Sequence, residues 1–267
     1  MICRTEGLVI RGYRMSESSK VSLIYTRESG KIRVAARGAR RPKSKFGAGL
    51  EPITLGSFVY YRRENRELQT LSEADILYAF PGIKQDYDRI AYASAVCDLL
   101  NSMTPDEDRN ALLYSVTLDA LRWLETVPKA AVEVPLWYYE LRAAAALGYR
   151  PHLSGCVRCS AKVPEGTVSF SPSLGGTLCG RCGTQGQRLR RSTVDFLEHL
   201  QTRLPQNVDL SGFRTEARTE ARQALRQFLD YHIPDRQRVR AFDFLDRLQA
   251  AEGKVPYQGA PAEEGVT

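Results

Sequence analysis

Two periods divide the chain. From Gly7 to about Ile76 the apolar residues alternate with polar ones or form short runs, as the two-sided geometry of a β-strand requires. Leu8, Val9 and Ile10 open a first strand, residues 21–26 a second, and Ile32, Arg33 and Val34 a third, after a turn through Glu28, Ser29, Gly30 and Lys31. Residues 53–62 and 68–71, joined by a turn at Glu64 and Asn65, bring the strands to five. Five short strands in so little chain predict a small barrel of the OB type, with an SH3-like barrel as the alternative.

Beyond Pro81 and Gly82 the apolar residues recur every three to four positions, the helical period. Tyr87, Ile90, Ala91 and Ala95 lead a first helix into Leu99 and Leu100, and residues 110–124 carry Leu113, Val116, Leu121 and Leu124 on one stripe. Pro135 opens a third helix through Trp137 and Leu141, and Gly148 is placed to end it in the left-handed conformation. Ser192 with Asp195 predicts a capping box for a helix bearing Phe196, Leu197 and Leu200, and further helices follow over residues 215–231 and 236–248. The fold class is therefore α+β: a five-stranded OB-type barrel at residues 1–80, then a helical domain of residues 81–150 and 187–251. A four-cysteine metal-binding insertion occupies residues 151–186, and a tail at residues 252–267, rich in Gly, Pro and Glu, reads as disordered.

The insertion carries the sharpest chemical signal. Cys156 and Cys159 form one Cys-x-x-Cys pair, and Cys179 and Cys182 a second. Two such knuckles at this separation fit the tetrahedral four-sulfur cage of a structural Zn²⁺, with two disulfides or four unrelated thiols as the competing readings. Gly155, Gly180 and Gly183 ease the turns, while Arg158 and Arg181 sit beside thiolates carrying net negative charge. Four sulfur ligands leave no open position for activating water, so the metal is read as a staple. His152 is read as a surface or locally hydrogen-bonded residue rather than a spare ligand, and Cys3 and Cys97 as inert thiols.

Charge adds a second site. The chain of 267 residues carries a net charge of +7, but residues 1–45 alone hold twelve Lys or Arg against Glu6, Glu17 and Glu28. The remaining residues hold 26 cations against 28 acids, so the excess belongs to the barrel and favours a polyanion. Alternation on the third strand sends Ile32 and Val34 inward and Lys31, Arg33 and Arg37 outward, and a loop of residues 38–47 extends the same field. The candidate DNA-binding residues are Arg14, Lys20, Arg27, Lys31, Arg33, Arg37, Arg40, Arg41, Lys43 and Lys45. A solvated edge that discourages strand aggregation is the plainer reading. Tyr13, Tyr25, Tyr60, Tyr61 and Phe46 either offer bases a stacking surface or fill the core.

No catalytic constellation is evident: His152, His199 and His232 lie in separate segments, and no phosphate-binding glycine loop is present. Binding is expected rather than catalysis. The N-terminus has no signal-peptide core and no apolar run reaches the length of a membrane span, so a cytoplasmic protein without membrane contact is expected.

A basic barrel, a helical body, and then Leu147, Gly148 and Tyr149 leading to Cys156 and Cys159, with Leu178 to Cys182 further on, is similar to the bacterial RecO family of recombinational-repair proteins. A weaker match lies around Tyr231 to Leu245, where Arg236, Arg238 and Arg240 precede Ala241 and Phe242 in place of the family's Ser-basic pair. The resemblance implies an OB-fold domain, binding of single- and double-stranded DNA, annealing of complementary strands, and location at the nucleoid. It also implies that, with RecR as partner, the protein loads RecA on DNA coated by single-strand-binding protein. The acidic, apolar-tipped tail of that coating protein would seek an apolar groove with a basic rim, for which helix faces bearing Arg122 and Arg142 are candidates. Competing classes are a zinc-containing nucleic-acid-modifying enzyme and an RNA-binding barrel protein.

Overall fold

The first strand, β1 (Ile2–Arg14), is long enough to pair on both sides, and this is how the sheet closes on itself. The chain is described by a computed structural model over residues 1–64, 66–183, 186–213, 215–233 and 240–252. The first half of β1 pairs with β4 (Thr54–Tyr61) and the second half with β2 (Lys20–Thr26), both antiparallel, with a bulge at Ile10 that bends the strand between its two partners. β2 pairs antiparallel with β3 (Gly30–Ala36), β3 parallel with β5 (Leu68–Tyr78), and β5 antiparallel with β4, giving a closed barrel in the order β1-β2-β3-β5-β4. Strands β1 and β5 extend well past the expected ends: Cys3 to Glu6 carries too few apolar residues to show the alternation, and the end of β5 runs Ile76, Leu77 and Tyr78 without it, all three exposed.

The barrel has two buried faces. Val9, Ile24, Ile32, Val34, Phe58, Tyr60 and Leu71 fill its interior, closed at one end by Phe46 and Leu50 from the β3–β4 loop and its short 3₁₀ turn (Gly47–Leu50). Leu8, Ile10, Leu23, Tyr25, Ile53 and Leu55 point outward and join the main core of the helices. The outer face of β1 and β2 is thus a docking face, which removes this part of the wall from solvent.

The body follows as α1 (Pro81–Lys84), α2 (Tyr87–Met103), α3 (Ala111–Thr126) and α4 (Val134–Ala146). Asp86 caps α2 by accepting from the backbone N–H of Asp88 and Arg89, and Asn110 caps α3 by accepting from Leu113. Helix α4 ends as its glycine predicts: Gly148 has φ +91°, its N–H donates to Ala145, and that of Tyr149 donates to Ala144 at 2.8 Å. Strands β6 (Thr167–Ser171), β7 (Gly176–Leu178) and β8 (Gln187–Arg190) then form a small sheet in the order β7-β6-β8. Strands so short leave no readable period in the sequence.

Helix α5 (Arg191–Thr202) starts directly from β8, and the capping box expected of Ser192 and Asp195 does not form. Asp195 pairs with Arg191 instead, and the free N-terminus is served from α6 (Thr215–His232): Glu220 accepts from the backbone N–H of Arg190 and the hydroxyl of Thr193. A distant carboxylate performs the role that a local side chain was expected to fill. Glu133, at the start of α4 and almost wholly buried, pairs with Arg218 and Arg222 and ties α6 to the body. The last helix, α7 (Arg240–Glu252), packs Phe242 and Leu245 into the main core. Arg236 and Arg238 and the tail beyond Glu252 lie outside the described residues, as does Asn65 of the β4–β5 turn.

Candidate metal centre and nucleic-acid interface

The two knuckles meet. The sulfurs of Cys156, Cys159, Cys179 and Cys182 all lie within 4.8 Å of one another, and Cys159 and Cys179 approach to 3.6 Å, close enough for four donors to hold one metal ion. Backbone hydrogen bonds fix the approach: the N–H of Val157 donates to Thr177 at 2.8 Å, that of Cys156 to Ala161, and the hydroxyl of Thr177 to the carbonyl of Gly155 at 2.6 Å. Burial raises the Cys156 thiol, but the backbone N–H groups of Cys179, Arg158 and Cys159 outweigh it and bring it down to about 6. The knuckles have their own small apolar cluster around Leu178 and Val157, separate from the main core, whereas Val168, Phe170 and Leu189 of the adjoining sheet belong to that core. The ring of His152 is exposed and supplies no ligand; its backbone N–H donates to Gly175. Cys97 is buried and its thiol is pushed up to about 12 by burial, then by Asp98.

The ten basic candidates on the barrel separate into three groups. Arg14, Arg27, Arg37, Arg41, Lys43 and Lys45 are exposed, with no ion pair among the described residues. Lys20, Arg33 and Arg40 are engaged: Lys20 with Glu51 and the carbonyl of Leu50, Arg33 with Asp106 at 2.9 Å, and Arg40 with the carbonyls of Ser16 and Glu17. Lys31 is a correction. Only 6% exposed, its ammonium donates to the carbonyls of Thr104 (2.6 Å) and Asn101 (2.9 Å) and pairs with Asp106. Alternation does send it outward, but the outward face there is covered by the end of α2 and the loop after it, so Lys31 fastens barrel to body. Burial lowers its pKa and Asp106 opposes that shift.

The aromatics divide likewise. Tyr25, Tyr60 and Phe46 are core, whereas Tyr13 and Tyr61 are 45% and 46% exposed. Tyr13, with Arg11 over its ring, borders a groove with Val21, Leu23 and Arg33.

Two basic features escaped the sequence reading. Arg62, Arg63 and Arg66, at the β4–β5 turn, line with Arg33 a cleft of about 660 Å³ that Glu67, Asp106 and Glu107 also line. Their mixture with Glu64 and Glu67 hid them in the charge count. Residues 147–191 hold seven Lys or Arg against Glu165 alone, an excess cancelled in the sum by acidic stretches elsewhere. Of these, Arg150, Arg158, Lys162, Arg181 and Arg188 are exposed. The partner-groove candidates also part company. Arg142 packs over Tyr138 and donates to the carbonyls of Leu200 and Arg203, so it is a brace, while Arg122 borders an open groove with Trp123, Leu204 and Pro205. No helix among the described residues is long and apolar enough to cross a membrane.

The structure thus combines a cation-bearing barrel, a helical body packed on it, and four cysteines close enough to hold a metal ion. Comparison with known proteins is more specific. The family described as Recombination protein O, N terminal, matches residues 1–80, and its C-terminal counterpart matches residues 84–241. The chain is 32% identical over 251 residues to the DNA repair protein RecO of Pelotomaculum thermopropionicum, covering 93% of this chain and 95% of that one. It is 33% identical over 258 residues to the DNA repair protein RecO of Symbiobacterium thermophilum, covering 92% and 97%. The chain belongs to the RecO family of DNA repair proteins.

Proposed function

We propose that this protein is a non-enzymatic DNA-binding mediator of recombinational repair. It binds single- and double-stranded DNA through the barrel, anneals complementary strands and, with RecR, promotes RecA loading on DNA coated by single-strand-binding protein. The observation that carries the reading is the set of six exposed cations without an ion pair among the described residues, four of them (Arg37, Arg41, Lys43 and Lys45) within nine residues after β3. Long cationic side chains held without carboxylate partners are available to phosphates, and phosphate contacts give affinity with little sequence preference. The strand order, with β3 parallel to β5 and β1 closing on β4, supports the OB type, whose outer strand face and loops take up nucleic acid.

Zn²⁺ is the metal that suits the knuckles. A tetrahedron with Zn–S bonds of about 2.3 Å has sulfur–sulfur edges of about 3.8 Å, and the 3.6 Å between Cys159 and Cys179 fits it. When bound, the ion supplies cross-linking rather than reaction chemistry. The groove beside Arg122 suits the tail of single-strand-binding protein, since Trp123, Leu204 and Pro205 offer apolar contact beside a guanidinium.

The test is strand annealing by the purified full chain without nucleotide. Annealing should proceed without ATP and weaken with salt; four to six phosphate contacts on a single strand predict a slope of log affinity against log salt of about −3 to −4. Nucleotide-dependent annealing, or salt-independent binding, would overturn the reading.

A further inference from the structure

The loop after α2 presents its acids to the barrel's basic edge. Its backbone runs beside the start of β3, where the N–H of Glu107 donates to the carbonyl of Lys31 at 2.9 Å. The approach is so close that a Cβ on Gly30 would collide with the carbonyl oxygen of Asp108, and Glu107 itself is turned into the left-handed region at φ +58°. From this position Asp106 reaches Arg33 at 2.9 Å and Glu107 reaches Arg62 at 3.0 Å. Both pairs are open to solvent: Arg33 is 49% exposed, and Arg62 and Glu107 are 42% and 44%. The junction does not depend on them, because buried Lys31 with its two carbonyl partners already fastens barrel to body.

We infer that the cleft between β3 and the β4–β5 turn is a phosphate-binding path, and that Asp106 and Glu107 occupy the places of backbone phosphates until nucleic acid displaces them. This rests on the proposed DNA binding and adds to it Arg62, Arg63 and Arg66. Two adjacent carboxylates engage two arginines that line one cleft, the arrangement a phosphodiester chain would present to the same guanidiniums. Arg63 and Arg66 beside them have no carboxylate partner among the described residues, so an entering strand gains contacts that the acidic loop does not supply. Solvent-exposed ion pairs of this kind are screened and readily exchanged. The loop therefore acts as a discriminator: weakly held anions are refused, and a polyanion that can engage several cations at once is admitted.

The experiment measures binding of a fluorescently labelled oligothymidylate to the full chain between about 50 and 200 mM salt. Glu107→Gln keeps the backbone hydrogen bond and frees Arg62; affinity at low salt should rise several-fold and the salt slope should steepen by about 0.7, one further phosphate contact. Asp106→Asn with Glu107→Gln should steepen it by about 1.4, and adding Arg62→Gln should reverse the gain from Glu107→Gln. Thermal melting of each variant verifies folding; because Asp106 also touches Lys31, the single Glu107→Gln variant decides if the double one melts early. Unchanged or weakened binding by folded Glu107→Gln overturns the inference. Wild-type protein that binds the oligonucleotide normally in that case leaves the DNA-binding proposal standing; wild-type protein that does not bind brings down both.

Discussion

The knuckle pair and the basic edge of the barrel are both built from residues evident in the sequence, yet only the first keeps its composition when the chain folds. Four cysteines in two tight turns define their own geometry, because each pair is separated by two residues and needs only that the knuckles meet. Ten cations defined by a count have no such closure. Folding leaves six without ion pairs among the described residues, engages Lys20 and Arg40 within the barrel and Arg33 with the loop after α2, and buries Lys31, so availability is a tertiary property even where charge is a local one.

The sharpest way to break this comparison is to remove one knuckle. Cys179→Ser with Cys182→Ser should reduce bound zinc from one equivalent to none, with loss of a local contribution on the order of 10 kcal/mol of metal-binding free energy. Because the knuckles have a cluster apart from the main core, hydrogen exchange should accelerate over residues 154–183 while the barrel strands keep their protection. Barrel strands that lose protection equally would mean that the two regions are one cooperative unit.

The converse experiment acts on the barrel alone. Replacing Arg37, Arg41, Lys43 and Lys45 together by Gln should weaken single-strand binding about 100-fold at low salt and flatten the salt slope by up to about 2.8, with zinc content unchanged. Stability should move by no more than about 0.5 kcal/mol, since these side chains are exposed and have no ion pair among the described residues. Lys31→Met reverses that pattern: it should destabilise by about 2 kcal/mol, leaving buried carbonyls at Thr104 and Asn101 unanswered. Its effect on the salt slope should be nil. Denaturant titration and salt-dependent binding on the same preparations separate the two classes of lysine and arginine.

What could be read in advance follows the same division. Periods of two and 3.6, the terminating glycine at Gly148, and the cysteine spacing are local, and the structure reproduces them, whereas Asn110 shows itself as the cap of α3 only in the fold. The buried outer face of β1 and β2 was not readable, because Leu23 and Tyr25 with Ile24 between them look like one continuous apolar run whatever they face. Nor was Glu220 as the substitute cap of α5, since the residue lies 30 positions from the backbone group it serves. Arg142 and Arg122 look alike in sequence, and only the presence of Tyr138, Leu200 and Arg203 around the first makes it a brace.

Alkaline pH should separate the regions by a smaller effect. The junction between barrel and body holds Tyr25 stacked on Tyr114, ring centroids 6.4 Å apart, with Cys97 buried in the same core. Burial, and then Asp108 near the first and Glu6 and Glu28 near the second, push both phenols up to about 12, and burial does the same to the Cys97 thiol. The folded state thus favours the protonated forms, whereas the unfolded chain ionises near the ordinary values of 9 for the thiol and 10 for the phenols. Their contribution is complete below about pH 9 and is lost as pH rises toward 12, because the unfolded state releases its protons first. The knuckle thiols, already ionised when they hold a metal, have no matching transition in that window. Denaturant midpoints followed by tyrosine fluorescence should therefore fall between pH 8.5 and about 11 while zinc stays bound. Zinc release that runs in step with the fall would place the alkaline weakness in the knuckles and not at the barrel–body junction.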